Sequence, residues 1–401
     1  MSKEFKDNNN QIKDVIIIGG GAAGLFCGAT FACGVKGLIL EKTSRPGTKL
    51  LMSGSGQCNI THGGSIKDFI PRYGDNGSKI RGILYRHNNQ ELMEFLMDRG
   101  IPTMEREDGK VFPLSLKSRD VLDMLLDRCK ENGFATVLGE EARNISKEKD
   151  IFTVTTKSNS YFAKKVIVAT GGCSYPSTGS DGSMLKVLKD SFDLKVIQPK
   201  PSLVPIFVEN YPYTEASGIS FRNIGISILR DNKRIASKVG DVLLTHQNLS
   251  GPAILDISRY VINGDKIVLN YLYPHSLEEI FSRLKVVTKG NKKSLDNIVC
   301  SEFDLPKKLV QIVVRDSKEQ LKALAQNLCG QGFTVSGVSG YKEAMCTAGG
   351  ISLEEINLKT MECKRVPGLH LIGEVVDIDG DTGGYNLQFA YSSARTCNET
   401  K

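Results

Sequence analysis

DVIIIGGGAAGLFCGATFACGVKGLILE, Asp14 to Glu41, is the stretch on which the fold turns. Val15 to Ile18 form the unbroken apolar run that a parallel strand buried on both faces requires. The run leads straight into Gly19, Gly21 and Gly24, spaced G-x-G-x-x-G, with Ala22 and Ala23 before the third glycine. The first glycine permits a tight turn, the second lets a pyrophosphate approach the backbone, and the third lets the next helix lie close on the sheet. Phosphates then meet free N–H groups at the positive end of the helix dipole. The helix is expected to run through Leu25, Phe26 and Ala29 to a stop at Gly34, with Leu38 to Leu40 as the second strand. Glu41, followed by Lys42, stands about 20 residues beyond the glycines, where an acid accepts hydrogen bonds from an adenosine ribose and repels a 2′-phosphate. The unit predicts a bound dinucleotide. NAD and FAD share the ADP half, so the glycines alone do not choose between them.

The 401 residues suffice for two or three domains, and the apolar and charged fractions are those of a folded globular chain. The net charge of +7 comes from scattered lysines without an interleaved aromatic stripe, so a small-molecule substrate and no nucleic-acid partner are expected. MSKEFKDNNNQIK lacks the apolar core of a secretory signal and reads as a frayed tail. No stretch approaches the roughly 20 apolar residues of a membrane span, which predicts a cytoplasmic protein with no membrane partner. Ten scattered cysteines form no C-x-x-C pair and the five histidines have no ligand spacing, so reduced thiols and no metal site are expected.

After Glu41, the segment KTSRPGTKLLMSGSGQCNITHGG is too rich in Gly, Ser and Thr for a regular element. A long loop in a compact domain is usually functional, and here Arg45, Lys49 and the backbone from Ser53 through Gly54 to Asn59 become candidate cofactor contacts. Cys58 stands alone, which argues against dithiol chemistry and for a packed or cofactor-facing thiol. Asn89 to Arg99 and Arg119 to Asn132, the latter capped by Ser118, have helical spacing. Ala135 to Leu138, Ile151 to Thr156 and Tyr161 to Ala163 alternate like a small meander. Lys165 to Ala169 is another buried strand. It ends in Thr170-Gly171-Gly172, an end that lies beside FAD in two-dinucleotide-binding flavoproteins.

From Pro199 the character changes to short strands at Leu203 to Val208, Ile219 to Leu229 and Asp241 to Thr245, then a helix entered through Ser250-Gly251-Pro252 with Ser250 as cap. Helices follow at Leu277 to Val287 and Lys307 to Arg315. Residues 198–340 therefore read as an insertion, part β and part helical, that covers the cofactor and shapes a substrate pocket. Residues 1–197 and 341–401 form the discontinuous FAD-binding domain. Its closing segment has a strand, Leu369 to Ile372, ended by Gly373-Glu374, and a turn, Thr382-Gly383-Gly384, into a helix from Tyr385. A helix N-terminus aimed at the ring stabilises negative charge that develops on flavin reduction, and Glu374 or Asp377 can hold a ribityl hydroxyl. An NAD site needs no such distant second turn, so this segment selects FAD. The fold class expected is α/β, a Rossmann-like FAD-binding domain with an inserted β-rich and helical region.

With the glycine turn, KLLMSGSGQCNIT, SGPAILDISR and GEVVDIDGDTGGYNLQFA in order, the sequence resembles the BaiN/YhiN-type bacterial flavoproteins over nearly its whole length. The resemblance implies non-covalent FAD lined by Gly19, Gly21, Gly24, Glu41, Lys49, Ser53, Gly54, Asn59, Gly373, Glu374, Asp377 and the turn Gly384, Tyr385, Asn386, Leu387 and Gln388. The family's members imply an NAD(P)H-dependent reductase that sends hydride from flavin N5 to the β-carbon of a bile-acid-like enone. An aminoacetone-type oxidase using O₂ and a flavin-carrying sensor without turnover are the alternatives. No second G-x-G-x-x-G is present, so NAD(P)H would dock only transiently. Tyr175, Tyr341 and Arg365 are of a type to donate a proton near the ring, and the sequence assigns none of them that role.

Overall fold

The computed structural model describes residues 11–399, so the expected tail lies outside the described residues up to Asn10. The chain divides into two compact units. The first runs to Lys200 and resumes at Met345, and the second is Pro201–Ala344.

In the first unit, strand β1 (Lys13–Ile18) buries Val15 to Ile18 on both faces and passes through the glycine turn into helix α1 (Ala22–Thr30). The helix stops short of Gly34 because Phe31 turns extended, and the Thr30 hydroxyl closes the last turn on the Phe26 carbonyl at 2.7 Å. Strand β2 (Gly37–Glu41) is buried throughout and pairs parallel to β1 in the register Ile16↔Leu38. Residues 42–64 depart from the expected loop: Thr48–Met52 is a short helix, followed by a tight turn at Ser53–Gly56 in which Gly54 and Ser55 are left-handed. The helix Ser118–Glu131 begins one residue earlier than expected, and the Ser118 hydroxyl donates to the Leu51 carbonyl at 3.0 Å instead of capping its own helix.

Strand β3 (Phe134–Leu138), expected in the meander, is instead a parallel neighbour of β2. Gly37 makes this possible, since a Cβ there would stand 2.4 Å from the Phe134 ring. The meander is built from Asn144–Glu148, Ile151–Thr155 and the first half of β4 (Ser160–Val168). Tyr161 to Ala163 and Lys165 to Ala169, expected as two strands, are thus one that ends at Val168, its second half lying parallel to β1. The polar run Asn144–Glu148 escaped detection because it buries Ile145 alone among its residues.

The second unit is a closed antiparallel barrel with helices. Its strands are β5 (Ile206–Val208), β6 (Ser220–Arg230), β7 (Lys233–Leu244), β8 (Leu249–Ser250), β9 (Lys266–Asn270) and β10 (Gln331–Val338), in the order β5-β8-β7-β6-β9-β10. Alternation turns Ile224, Ile226, Ile228, Ile267 and Leu269 into the core. Ser250 belongs to β8, and Gly251, in a conformation that favours glycine (φ 92°), precedes Pro252 at the helix start without a side-chain cap. Helices Leu277–Thr288 and Lys307–Asp316 lie as expected. Leu295–Phe303 and Leu321–Gly330 are further helices that the sequence did not announce.

Back in the first unit, β11 (Leu369–Leu371) adds parallel to β4, and α2 (Tyr385–Asn398) packs on α1. The contact centres on Phe26, whose ring meets Tyr391 edge-on at 5.4 Å. The fold is the Rossmann-like α/β type with a β-rich insertion, its first domain closed by the chain's two ends. Phe26 is 1 % exposed, so Phe26→Ala should lower stability by about 3–5 kcal/mol in urea unfolding. A loss under about 1 kcal/mol would show that the α1–α2 seam does not hold this unit together.

Candidate functional site

The carboxyl ends of β1, β4 and β11 lie side by side, and the chain leaves each through glycine or small residues. The Ala169 N–H donates to Ile18 O at 2.8 Å and the Ile372 N–H to Val168 O at 3.0 Å, so Gly19, Ala169 to Gly171 and Gly373 form one edge. In open α/β sheets ligands bind outside such strand ends.

The three fingerprint glycines have separable roles. A Cβ on Gly19 would stand 2.6 Å from Ala169 O, and one on Gly24 2.0 Å from Gly19 O, so the protein's own packing demands both. A Cβ on Gly21 would meet no protein atom within 4 Å. Packing therefore does not explain Gly21; a group approaching the backbone from outside does. Ala22 and Ala23 begin α1, and their side chains are too small to obstruct that approach.

Glu41 is 8 % exposed at the end of β2. One carboxylate oxygen accepts from the Gly20 N–H at 2.9 Å; the other accepts from the Thr43 N–H and hydroxyl, each at 2.8 Å. These bonds fix the carboxylate against the glycine turn and leave lone pairs for further donors. Lys42 turns away to Asp181 at 2.7 Å. Burial pushes the Asp181 carboxyl up, but its bonds to Lys42 and to the Ser183 hydroxyl and N–H together outweigh this and hold it below the usual range.

A polar network joins segments far apart in sequence. Lys49 Nζ donates to Glu374 Oε2 at 2.6 Å and to Ser174 Oγ at 2.7 Å, and Ser174 Oγ donates to Glu374 Oε1 at 2.9 Å. Glu374 Oε1 also accepts the Thr347 N–H at 2.8 Å, and Ser180 Oγ bridges Lys49 and Gly172 O. Beside it, the buried Thr170 hydroxyl has no partner among the described residues, and Gly171 is left-handed (φ 75°).

The C-terminal turn is seated on the loop after β2. A Cβ on Gly384 (φ 97°) would stand 2.5 Å from the Thr61 backbone, and one on Gly373 (φ 67°) 2.6 Å from Ala23 Cβ. Asn59, its amide turned to bond Thr61 O at 3.0 Å, accepts the Gly384 N–H at 3.1 Å. Tyr73 donates to the Tyr385 carbonyl at 2.8 Å, and burial pushes its hydroxyl well up, which keeps it a donor.

Other expected site residues serve this scaffold. The Gln388 side chain is buried and bonded to Thr61, His87 and Ser392; Asn386 holds the Gly380 peptide from both sides; Leu387 packs partly buried against the core. Asp377 accepts from Asn76 at 3.1 Å, and the Ser53 hydroxyl donates to Leu50 O. Gly54 backs onto Asn59. Of the three donors considered, Arg365 is bonded to Glu355 and Asp193, Tyr175 is a left-handed residue before a short turn, and Tyr341 belongs to the second unit. Ser174, Ser180 and Thr347 went unnoticed in the sequence, where they are single hydroxyls in glycine-containing stretches.

Comparison with known proteins agrees with this architecture. A family model described as the HI0933-like protein Rossmann domain matches residues 13–400. The chain is 33 % identical to a ribosomal RNA dihydrouridine synthase of Haemophilus influenzae (97 % of this chain, 98 % of that one) and 31 % identical to one of Escherichia coli (96 % of each). It is 27 % identical to a 3-dehydro-bile acid delta(4,6)-reductase of Clostridium scindens, over 94 % of this chain and 96 % of that one. Among solved structures, a 3-ketosteroid-delta4-(5alpha)-dehydrogenase from Rhodococcus jostii RHA1 superposes with a TM-score of 0.53 at 13 % identity, covering 98 % of each, and shares the fold.

Cys58 is fully buried and its thiol is pushed up to about 11 by burial, although a bond to Ser53 pulls the other way. Iodoacetamide at neutral pH should therefore leave Cys58 unlabelled in the folded protein while exposed Cys33 reacts, as read by peptide mass spectrometry. Rapid labelling of native Cys58 would contradict this placement.

Proposed function

The chain belongs to the HI0933-like Rossmann-domain family, and on that premise we propose that it is an FAD-dependent oxidoreductase that saturates a C=C bond conjugated to a carbonyl. The relatives' names meet in that chemistry. Dihydrouridine is uridine with its C5=C6 bond, conjugated to the C4 carbonyl, reduced. A delta(4,6)-reductase acts on double bonds conjugated to a 3-oxo group. In either case hydride adds to the β-carbon and a proton to the α-carbon.

The residues present fit the cofactor. Gly21, unexplained by packing, the orphaned Thr170 hydroxyl, the fixed Glu41 carboxylate and the N-termini of α1 and α2 make up the donor and acceptor set that a dinucleotide needs. The first turn of α1 offers N–H groups to a pyrophosphate, and Glu41 accepts ribose hydroxyls. Gly54, Asn59 and Gly384 shape the turn that would hold the flavin's ring end, and the N-terminus of α2 would favour negative charge there. When bound, the flavin supplies hydride, and NAD(P)H is the reductant that renews it. Lys49, Ser174 and Glu374, joined by hydrogen bonds, set an ion pair and a hydroxyl beside the same strand ends.

For the substrate we favour a uridine in ribosomal RNA over a bile-acid-like enone. The observation that carries this choice is the full-length similarity at 33 % and 31 % identity to two rRNA dihydrouridine synthases, against 27 % to the bile-acid reductase. This departs from the sequence-based expectation of a small molecule and no nucleic acid, which rested on the absence of a basic stripe. Such a stripe marks affinity for bulk nucleic acid, whereas acting on one base requires a pocket and a few contacts.

Purified protein reduced anaerobically with NAD(P)H and given in vitro transcribed rRNA should form dihydrouridine, read as a gain of two hydrogens in nucleoside mass spectrometry. Reoxidation by a 3-oxo-Δ4 steroid but not by RNA would transfer the assignment to the enone. Glu41→Ala should weaken FAD retention about 10-fold or more, as expected for loss of charge-assisted hydrogen bonds. Unchanged flavin content after gel filtration would exclude a ribose role for Glu41.

A further inference from the structure

The outer surface of the barrel in the second unit has no role in the site described above, and its composition is unusual for a solvent-facing sheet. The registers Ile226↔Lys238 and Ile228↔Ala236 put the core side on one face of the β6–β7 ribbon; the alternate residues face outward. Across β7, β6, β9 and β10 the outward rows are Val239, Gly225 and Asn270; then Ser237, Ser227, Val268 and Gly332; then Arg234, Leu229, Lys266 and Thr334. Five of these eleven positions are glycine, serine or threonine, and no carboxylate occupies an outward position in these rows.

Two cations and an aromatic ring stand on that floor. Arg234 and Lys266 are exposed, and neither makes a hydrogen bond or ion pair among the described residues. Both are paired with Leu229, one from each side, which sets their Cα atoms about 10 Å apart at ordinary strand spacing. Lys266 lies across Gly332, whose added Cβ would stand 2.3 Å from Lys266 Cε. The ring of Tyr273 lies on Gly225, whose added Cβ would be 2.9 Å from Tyr273 Cδ2, and the residue is 49 % exposed. Arg230 and Lys238 of this ribbon are already neutralised, Arg230 by Asp265 and Lys238 by Asp256, each at 2.8 Å, while Arg222 and Lys233 at its ends are exposed cations. Within the outward rows, Arg234 and Lys266 thus stand without counter-charge among the described residues.

We propose that this face binds single-stranded RNA, with Arg234 and Lys266 contacting phosphates and Tyr273 stacking on a base. The inference rests on the ribosomal RNA substrate above and adds where the RNA strand is held. Charge complementarity selects a polyanion, and the exposed ring selects one carrying bases. The glycines and serines between the cations and the ring, Gly225, Ser227, Ser237 and Gly332, leave room for an extended strand to approach the sheet. Sheet and barrel faces that carry aromatic and basic side chains are a general means of holding unpaired nucleotides.

The test measures fluorescence anisotropy of a fluorescein-labelled oligouridylate, together with dihydrouridine formation on transcribed rRNA, using the flavin-loaded protein. In R234E/K266E, RNA affinity should fall at least 10-fold and the salt dependence of binding should lessen by about two phosphate contacts. In Tyr273→Ala, affinity should fall about 10-fold with little change in salt dependence. Flavin content and NAD(P)H-driven bleaching of the flavin should remain at wild-type level in both, which also reports that the variants fold. Wild-type RNA affinity in both variants would overturn the proposal while leaving the rRNA substrate standing. Absence of both oligouridylate binding and dihydrouridine formation by the wild-type protein would overturn the substrate reading itself.

Discussion

Three close backbone approaches hold the first unit in its shape. Gly19 passes within contact of the Ala169 carbonyl, Gly373 rests on Ala23, and Gly384 lies on the Thr61 backbone. Each position would bring a Cβ to 2.5–2.6 Å from its neighbour. Real side chains do not tolerate such distances, so the edge where β1, β4 and β11 end can exist only without them. This constraint brings the start and the end of the chain to one place, and the chemistry of the unit follows from that meeting.

Polar contacts then give the edge its character. Lys49, from the loop after β2, and Glu374, from the end of β11, meet at 2.6 Å and are bridged by Ser174 from the loop after β4. Each partner comes from a different strand end, so the network forms only when the sheet is complete. A partly buried ion pair bound by further hydrogen bonds is weak evidence for stability but strongly orders the groups that make it. Glu41, fixed by Gly20 and Thr43, orders the other side of the glycine turn in the same way.

The second unit follows another logic. Its inward strand positions, Ile224, Ile226, Ile228, Ile267 and Leu269, form a conventional apolar barrel core, and its helices add Leu284, Leu309, Val313 and Leu328 to it. Its outward positions include Gly225, Ser227, Ser237 and Gly332, with a cation, unpaired among the described residues, on either side of Leu229.

The local pattern of Asp14 to Glu41 was enough to determine a strand, a glycine turn, a helix and an acid at the next strand end, because each rests on contacts within about 25 residues. The C-terminal turn and helix from Tyr385 were legible for the same reason. What escaped were features whose cause lies elsewhere in the chain. Phe134–Leu138 joins the parallel sheet because Gly37 makes room for a ring, Ser118 turns its hydroxyl to Leu51, and Asn144–Glu148 is a strand only through its partner. The bonding of Ser174, Ser180 and Thr347 around Glu374 likewise has no local signature. Periodicity and glycine spacing report what a segment requires of its own backbone. Which distant hydroxyl completes a carboxylate's hydrogen bonds is decided only when tertiary packing sets the two side by side.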